Sequence, residues 1–222
     1  MKDFNVEKVT NEIIEFIREY YKKNNLKGVV LGISGGKDSG VVAGLFSLAL
    51  GSENVLGITM PCHSKSEDAS DAKLVSDYYG FELINHDLTS VYDSFKNELE
   101  YNDEVLLKDA DINIKPRLRM ATLYYYAALY SKLKKGVYLV AGTSNKCEMY
   151  VGYFTKGGDN TNDISVLEDT VELSSREANL DSVKKITYAH AGKAETIRLK
   201  CDKMALRYVI EKFGSDVTII ED

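Results

Sequence analysis

Residues 28–39 read Gly-Val-Val-Leu-Gly-Ile-Ser-Gly-Gly-Lys-Asp-Ser, and this stretch decides the fold. Its first six residues are apolar or glycine, without alternating polar side chains, which is typical of a strand that is covered on both faces. The glycine-rich hexapeptide at 34–39 comes next, and residues 41–50 then have the composition of a helix. A buried strand, a tight turn and a helix in this order predict the first unit of a parallel α/β sheet.

The same alternation continues on both sides of this stretch. Apolar residues at helical spacing and short apolar runs predict helices at 6–20, 64–79 and about 116–134, and strands at 54–60, 81–85 and 137–142. Helices that alternate with fully apolar strands are typical of a doubly wound, mostly parallel sheet flanked by helices. We therefore expect an α/β fold.

The domain organisation follows from what separates these segments. Residues 91–111 are rich in charge but carry no cluster of Pro, Gly or Ser, so we interpret them as a helix and a connection within one domain, 1–222. Beyond residue 163 the pattern changes, and we expect a small appendage with a hairpin at 186–199, a helix at 202–213 and a last strand at 217–220.

Charge and hydropathy exclude several classes of function. The net charge of -6 over 222 residues disfavours a non-specific nucleic-acid binder, which needs a basic surface. No apolar run approaches the roughly 20 residues of a membrane-spanning helix, and the first residues lack the apolar core of a secretory signal. The three cysteines form no C-x-x-C pair. We expect a cytoplasmic protein without a membrane or nucleic-acid partner.

The hexapeptide at 34–39 predicts a phosphate site. Glycines let backbone N–H groups approach an anion, and the start of the next helix adds its dipole. Asp38 is the informative residue, because a carboxylate beside phosphates is tolerated only with a cation such as Mg²⁺ between them. The alternative is a plain turn in which Asp38 or Ser39 caps the helix.

This hexapeptide resembles the S-G-G-x-D-S pattern of the PP-loop ATP pyrophosphatases, a Rossmann-like class. Three further motifs follow in order, namely Asn113-Ile114-Lys115-Pro116-Arg117-Leu118-Arg119-Met120, Gly142-Thr143-Ser144-Asn145-Lys146-Cys147-Glu148 and Gly152-Tyr153-Phe154-Thr155-Lys156 with Gly158-Asp159. Together they are similar to the motifs of the ammonia-dependent NAD synthetases. The resemblance covers about residues 1–164.

The resemblance implies that the chain adenylates the nicotinate carboxylate of deamido-NAD with ATP and that ammonia then displaces AMP. It assigns Asp38 and Lys37 to catalysis, and Asp38 and Glu148 to Mg²⁺. Arg117, Lys156 and Asp163 match positions that bind deamido-NAD. The implied ATP-binding residues are Gly32, Ile33, Ser34, Gly35, Gly36, Lys37, Asp38, Ser39 and Thr143. The family also implies a homodimer.

The resemblance fails after residue 164. Where the family has a lysine that contacts ATP, this chain has Glu172, and the family's Gly-Asp-Gly is Gly158-Asp159-Asn160 here. We therefore treat residues 165–222 as a diverged tail. Two alternatives stay open: a PP-loop amide or thioamide synthase for another carboxylate or nucleotide, and a non-catalytic relative that binds nucleotide.

Other conspicuous residues have plainer interpretations. We expect the tyrosines at 124–126 to pack, His63 and His86 to be isolated, incidental loop residues without a partner that suggests a base, and Cys147 to be a small buried residue.

Overall fold

The computed structural model describes residues 5–64, 67–100 and 111–167, which all belong to one compact unit, residues 1–177. Their core is a five-stranded sheet in which every neighbouring pair of strands is parallel. The strands are β1 Leu26–Gly32, β2 Val55–Thr59, β3 Glu82–Asn85, β4 Val137–Gly142 and β5 Ile164–Ser165, in the order β3-β2-β1-β4-β5. This confirms the predicted doubly wound parallel sheet.

Six helices and one 3-10 turn, Ser52–Asn54, are present among the described residues. The helices are α1 Val6–Lys23, α2 Lys37–Leu50, α3 Glu67–Tyr79, α4 Thr89–Asn97, α5 Ile114–Leu133 and α6 Lys146–Val151. Within the described part of the chain, no helix combines the length and the apolar character needed to cross a bilayer. The predicted hairpin, helix and last strand of the tail lie outside the described residues, and the single domain stays a prediction.

The sheet is buried on both faces, which explains why its strands lack polar alternation. In β1, Val29 and Leu31 point into a cluster formed with α1 and α2, and Val30 between them points into a second cluster with α5. All three side chains are fully buried. Phe46 of α2 fills the first cluster and Ala127 of α5 lies in the second. Each face of the sheet therefore has its own apolar layer.

The strand order creates a crevice at one edge of the sheet. β1 pairs with β2 on one side (Val30 with Leu56) and with β4 on the other (Val30 with Val140). The chain therefore adds β2 on one side of β1 and later adds β4 on the opposite side. In doubly wound folds, the crevice beyond the carboxyl ends of two such strands is where ligands bind. Helices α2 and α6 begin at this point, directly after β1 and β4.

Candidate functional site

The loop between β1 and α2 is closed by its own serines. Ser39, which is 2% exposed, donates from Oγ to the carbonyl oxygen of Gly36 at 3.1 Å. The same Oγ accepts the backbone N–H of Ser34 at 3.2 Å and lies 3.1 Å from the Ser34 Oγ. Gly35 has a φ of +81°, a conformation that favours glycine. These contacts hold the loop in one conformation at the start of α2.

Two carboxylates meet beside this loop. Asp38 lies in the first turn of α2 and Glu148 in α6, and both line a cavity of about 180 Å³. Asn145 connects them. Its Nδ2 donates to Asp38 Oδ2 at 3.1 Å, its Oδ1 accepts from the Glu148 backbone N–H at 3.1 Å, and its backbone N–H donates to Glu148 Oε2 at 3.0 Å. The last two bonds form a capping box at the start of α6.

The surroundings of Glu148 disfavour its ionised form relative to an exposed carboxyl. Burial raises the pKa of its carboxyl, and the charges of Asp38 and Asp159 raise it further. The backbone N–H of Asn145 acts in the opposite direction and lowers the pKa. A buried carboxylate with like-charged neighbours is stabilised by any cation placed between them. The cavity is therefore electrostatically suited to a positive ion.

A larger cavity of about 390 Å³ adjoins the small one, and Ser34, Thr143 and Asp159 line both. Its walls are the carboxyl ends of β1, β2 and β4 and one side of α5. From α5, Arg119 lines the cavity and donates from Nε to the carbonyl oxygen of Met60 at 3.2 Å. Its size lies within the usual range of ligand pockets, about 300–1,000 Å³.

The structure groups most of the predicted ATP-binding residues around these cavities. Gly32 and Ile33 line the larger cavity, Thr143 and Ser34 line both, and the small cavity is lined by Gly36, Lys37, Asp38 and Ser39 together with Glu148. Gly35 lies within the same loop. The pattern of the hexapeptide and the Gly142-Thr143 motif thus converge on one place from two distant parts of the chain.

The three residues predicted for deamido-NAD line neither cavity. Arg117 donates from Nε to the carbonyl oxygen of Lys156 at 3.1 Å. Both carboxylate oxygens of Asp163 are hydrogen bonded: Oδ2 accepts the Val140 backbone N–H at 2.8 Å, and Oδ1 accepts the Tyr124 hydroxyl at 3.1 Å. Burial and the Asp163 carboxylate together raise the pKa of Tyr124 to about 12, so the phenol stays a donor.

Two residues of the site, Asn145 and Arg119, were not predicted from the sequence. The spacing Asn-x-x-Glu at 145–148 is a signature of a capping box and could have predicted the cap. No local pattern predicts that the Asn145 amide reaches Asp38 or that Arg119 holds a carbonyl at the end of β2. Both contacts join segments that are distant in sequence.

Three plainer predictions were wrong. His63 has a partner, because its Nε2 lies 2.7 Å from Asp93 Oδ1. His86 also has one, with Nδ1 3.0 Å from the Tyr126 hydroxyl. Cys147 is exposed rather than buried, in the first turn of α6, a helix without a buried residue.

A parallel sheet with a serine- and glycine-rich loop at its switch point, and a pair of carboxylates beside that loop, defines the PP-loop class of nucleotide-binding proteins. Residues 9–207 match the profile of the family described as NAD synthase. The chain belongs to the NAD synthase family.

Individual relatives agree with this assignment. An NH(3)-dependent NAD(+) synthetase from Methanococcus aeolicus is 41% identical over 174 residues, and one from Carboxydothermus hydrogenoformans is 43% identical over 159 residues. These matches cover 78% and 70% of this chain but only 66% and 61% of the relatives. The chain thus spans less than two thirds of the length of either relative.

The solved structure of an NH3-dependent NAD synthetase from Campylobacter jejuni superimposes with a TM-score of 0.65 at 32% identity, covering 84% of this chain and 75% of that chain. An NMN synthetase from Francisella tularensis also superimposes with a TM-score of 0.65, at 27% identity, covering 83% of this chain and 70% of that one.

Proposed function

We propose that this protein is a ligase that forms an amide from a carboxylate, ATP and ammonia. Its substrate is deamido-NAD, whose nicotinate carboxylate attacks the α-phosphorus of ATP and expels pyrophosphate. Ammonia then displaces AMP to give NAD. The observation that carries this proposal is the convergence of Asp38 and Glu148 on a cavity beside the phosphate loop, next to a second cavity large enough for the rest of a nucleotide.

The loop supplies the ATP phosphate site. Its residues Gly36, Lys37 and Ser39 line the small cavity, and the start of α2 directs its dipole there. The larger cavity accepts the nucleoside, since its lining, from the strand ends and α5 among other segments, is mainly apolar. Binding across both cavities would bring the α-phosphorus near their shared residues, Ser34, Thr143 and Asp159. Orientation and charge neutralisation then supply the rate enhancement.

Asp38 and Glu148 fit Mg²⁺. The ion accepts one or two carboxylates and completes its shell with water and phosphate oxygens, so two converging carboxylates next to a phosphate loop are a suitable donor set. Burial, together with the charges of Asp38 and Asp159, raises the pKa of Glu148 when no cation is present. When bound, the ion offsets the negative charge that develops on the departing pyrophosphate.

The family resemblance assigns three residues to deamido-NAD, and their hydrogen bonds favour two different roles. We infer that Arg117 and Lys156, neighbours through the bond between Nε and the carbonyl oxygen, offer cations to the phosphates of the dinucleotide. Asp163 is engaged on both oxygens by Val140 and Tyr124. Its contacts favour a supporting role, in which it joins β4 to α5 beneath the substrate.

The test is pyrophosphate release by the full chain, with ATP and Mg²⁺, in the presence of deamido-NAD and ammonium. We expect release beyond one equivalent of enzyme only when both are present, with stoichiometric NAD and AMP, and with glutamine unable to replace ammonium. Asp38→Asn is expected to abolish release. Pyrophosphate release without deamido-NAD, or its absence at high enzyme concentration, would exclude this substrate.

A mononucleotide substrate is the second candidate, because the Francisella relative with the same TM-score is named an NMN synthetase. The assay therefore includes nicotinate mononucleotide beside deamido-NAD. A higher kcat/KM for the mononucleotide would assign the protein to that reaction and would leave the adenylation chemistry unchanged.

Assembly and location complete the proposal. We infer a homodimer in the cytoplasm, as the family resemblance implies. Sedimentation equilibrium checks the assembly, with an expected mass of twice the chain's 24.8 kDa.

A further inference from the structure

Asn145 occupies an unusual position, because one side chain and its own backbone contact both carboxylates of the site. The amide Nδ2 reaches Asp38, which is 107 residues away in sequence, at 3.1 Å. The backbone N–H of the same residue reaches Glu148 Oε2 at 3.0 Å. The two carboxylates are therefore fixed by a single residue, although they belong to helices that follow different strands.

The geometry of these contacts leaves part of each carboxylate out of them. Asn145 uses Oδ2 of Asp38 and Oε2 of Glu148, and the second oxygens, Oδ1 and Oε1, take no part in its contacts. A carboxylate held through one oxygen has fewer rotamers available, so less conformational freedom is lost when the other oxygen binds a ligand. Donors that orient metal-binding side chains in this way commonly affect metal affinity by 10- to 100-fold.

The cap itself needs only an acceptor at residue 145. The Oδ1 atom accepts the Glu148 backbone N–H at 3.1 Å, and a serine hydroxyl performs the same role at helix starts. The amide N–H group that contacts Asp38 is not required for the cap. The chemistry of asparagine, with an acceptor and a donor on one rigid group, satisfies the helix and orients the carboxylate at the same time.

We propose that Asn145 is a positioning residue that presets Asp38 and Glu148 for a divalent cation. This inference rests on the proposed function, which places Mg²⁺ between these carboxylates and the ATP phosphates. To that function, the inference adds a residue, Asn145, that sets the affinity of this chain for the cation. Asn145 contacts neither ATP nor the cation in this role and acts through the two carboxylates.

The experiment measures ATP binding by calorimetry, once in EDTA and once in excess Mg²⁺, for the wild type and Asn145→Ser. Serine retains an acceptor for the cap but has no group that can reproduce the amide contact with Asp38. We expect the affinity in EDTA to change by less than about twofold, because serine and asparagine cap helices similarly. The gain in affinity caused by Mg²⁺ should fall by about tenfold or more.

Three further variants separate the causes. Asn5→Ser is the matched control, because Asn5 caps α1 by accepting the Lys8 N–H at 2.9 Å and lies far along the chain from the loop. It should leave both affinities unchanged. Asn145→Ala removes both the cap and the amide contact, so it should also lower the unfolding temperature. Asp38→Asn shows the ATP affinity that is expected when Mg²⁺ no longer increases it.

Each result either supports or overturns the positioning role of Asn145. An Asn145→Ser variant with the wild-type gain from Mg²⁺ overturns the positioning role. An equal loss of affinity in EDTA and in Mg²⁺ also overturns it, because the residue would then only maintain the loop. If the wild type itself gains no affinity from Mg²⁺, the proposed metal site fails and this inference fails with it, a result that the wild-type titration alone identifies.

Discussion

At the residue scale, Glu148 combines a functional position with a thermodynamic cost. Its carboxyl is half-buried, and its pKa is raised first by burial and then by Asp38 and Asp159. The ligand-free protein therefore carries a charge that its surroundings oppose. Solvent screens part of this effect, so the cost is modest.

We predict that Glu148→Gln stabilises the ligand-free protein near neutral pH while it removes the response to Mg²⁺. Glutamine retains the capping box, and loss of the charge should raise the free energy of unfolding by a few tenths to about 1 kcal/mol. That corresponds to roughly 1–4 °C in Tm. Thermal unfolding in EDTA checks the change, and a variant less stable than the wild type at pH 7 contradicts it.

The pH dependence has a definite sign. Because the folded carboxyl has a pKa above that of the unfolded chain, the wild type loses stability as the pH rises from the ordinary carboxyl range through the raised value. Glutamine cannot titrate, so the Glu148→Gln variant lacks this decline. The difference between the two proteins should vanish below the ordinary carboxyl pKa.

We predict that Ser39→Ala weakens both the loop and ATP binding. The change leaves the Gly36 carbonyl and the Ser34 N–H without the Ser39 hydroxyl, at a cost of about 1–3 kcal/mol. Urea unfolding and ATP titration measure the two effects. Ser47→Ala is the control in the same helix, since Ser47 is buried and its hydroxyl donates one turn back to the Ala43 carbonyl at 2.8 Å. Equal destabilisation by both changes would refute the role of Ser39.

The residue scale also shows where sequence patterns stop. Asp38 and Glu148 could be predicted because each lies in a local motif beside a strand end. The bond between Asn145 and Asp38 could not, because it depends on the adjacency of β1 and β4. The partners of His63 and His86 were missed because they lie on α4 and α5, at positions distant in sequence from the two histidines.

At the element scale, α5 holds the segment that follows β2. Lys115 donates from Nζ to the Cys62 carbonyl at 3.1 Å and also lies 5.0 Å from the centre of the Tyr92 ring. One turn later, Arg119 donates to the Met60 carbonyl. Met60 and Pro61 line the larger cavity, so two cations of one helix maintain one of its walls.

We predict that Lys115→Met weakens ATP binding by about tenfold, in line with the loss of a hydrogen bond from a charged group. Pyrophosphate binding should not change, because the small cavity contains no part of this wall. Lys132→Met, near the other end of α5, is the control. Competition titrations with both ligands measure the two affinities, and parallel loss of both would show that the loop itself had been disturbed.

Element boundaries were predicted most accurately for the strands that are buried on both faces. The mainly apolar runs identified β1, β2 and β4 to within two residues, because burial on both faces favours apolar side chains. Strand β5, Ile164–Ser165, was missed, since two residues carry no pattern. The α6 helix is too short for a helical periodicity and is recognisable only by its cap.

At the scale of the whole molecule, nucleotide binding should couple the two halves of the sheet. We predict that ATP with Mg²⁺, at about 100 times its Kd, raises the free energy of unfolding by about 2.7 kcal/mol. This corresponds to a Tm increase of roughly 5–11 °C. Removal of Mg²⁺ with EDTA should abolish most of the increase in the free energy of unfolding. Only the part that comes from ATP contacts with the phosphate loop should remain. An increase that EDTA does not reduce would argue against a cation between Asp38 and Glu148.

The contact between Asp38 and Asn145 has a further consequence, for synthesis of the chain on the ribosome. The two residues are separated by 107 positions, and β1 must wait for β4 before its second neighbour exists. Pairings of such long range form late and slowly. A nascent chain that ends before β4 has the phosphate loop but only one of its two carboxylates, so the proposed capture of ATP with Mg²⁺ is expected only after β4 has joined β1.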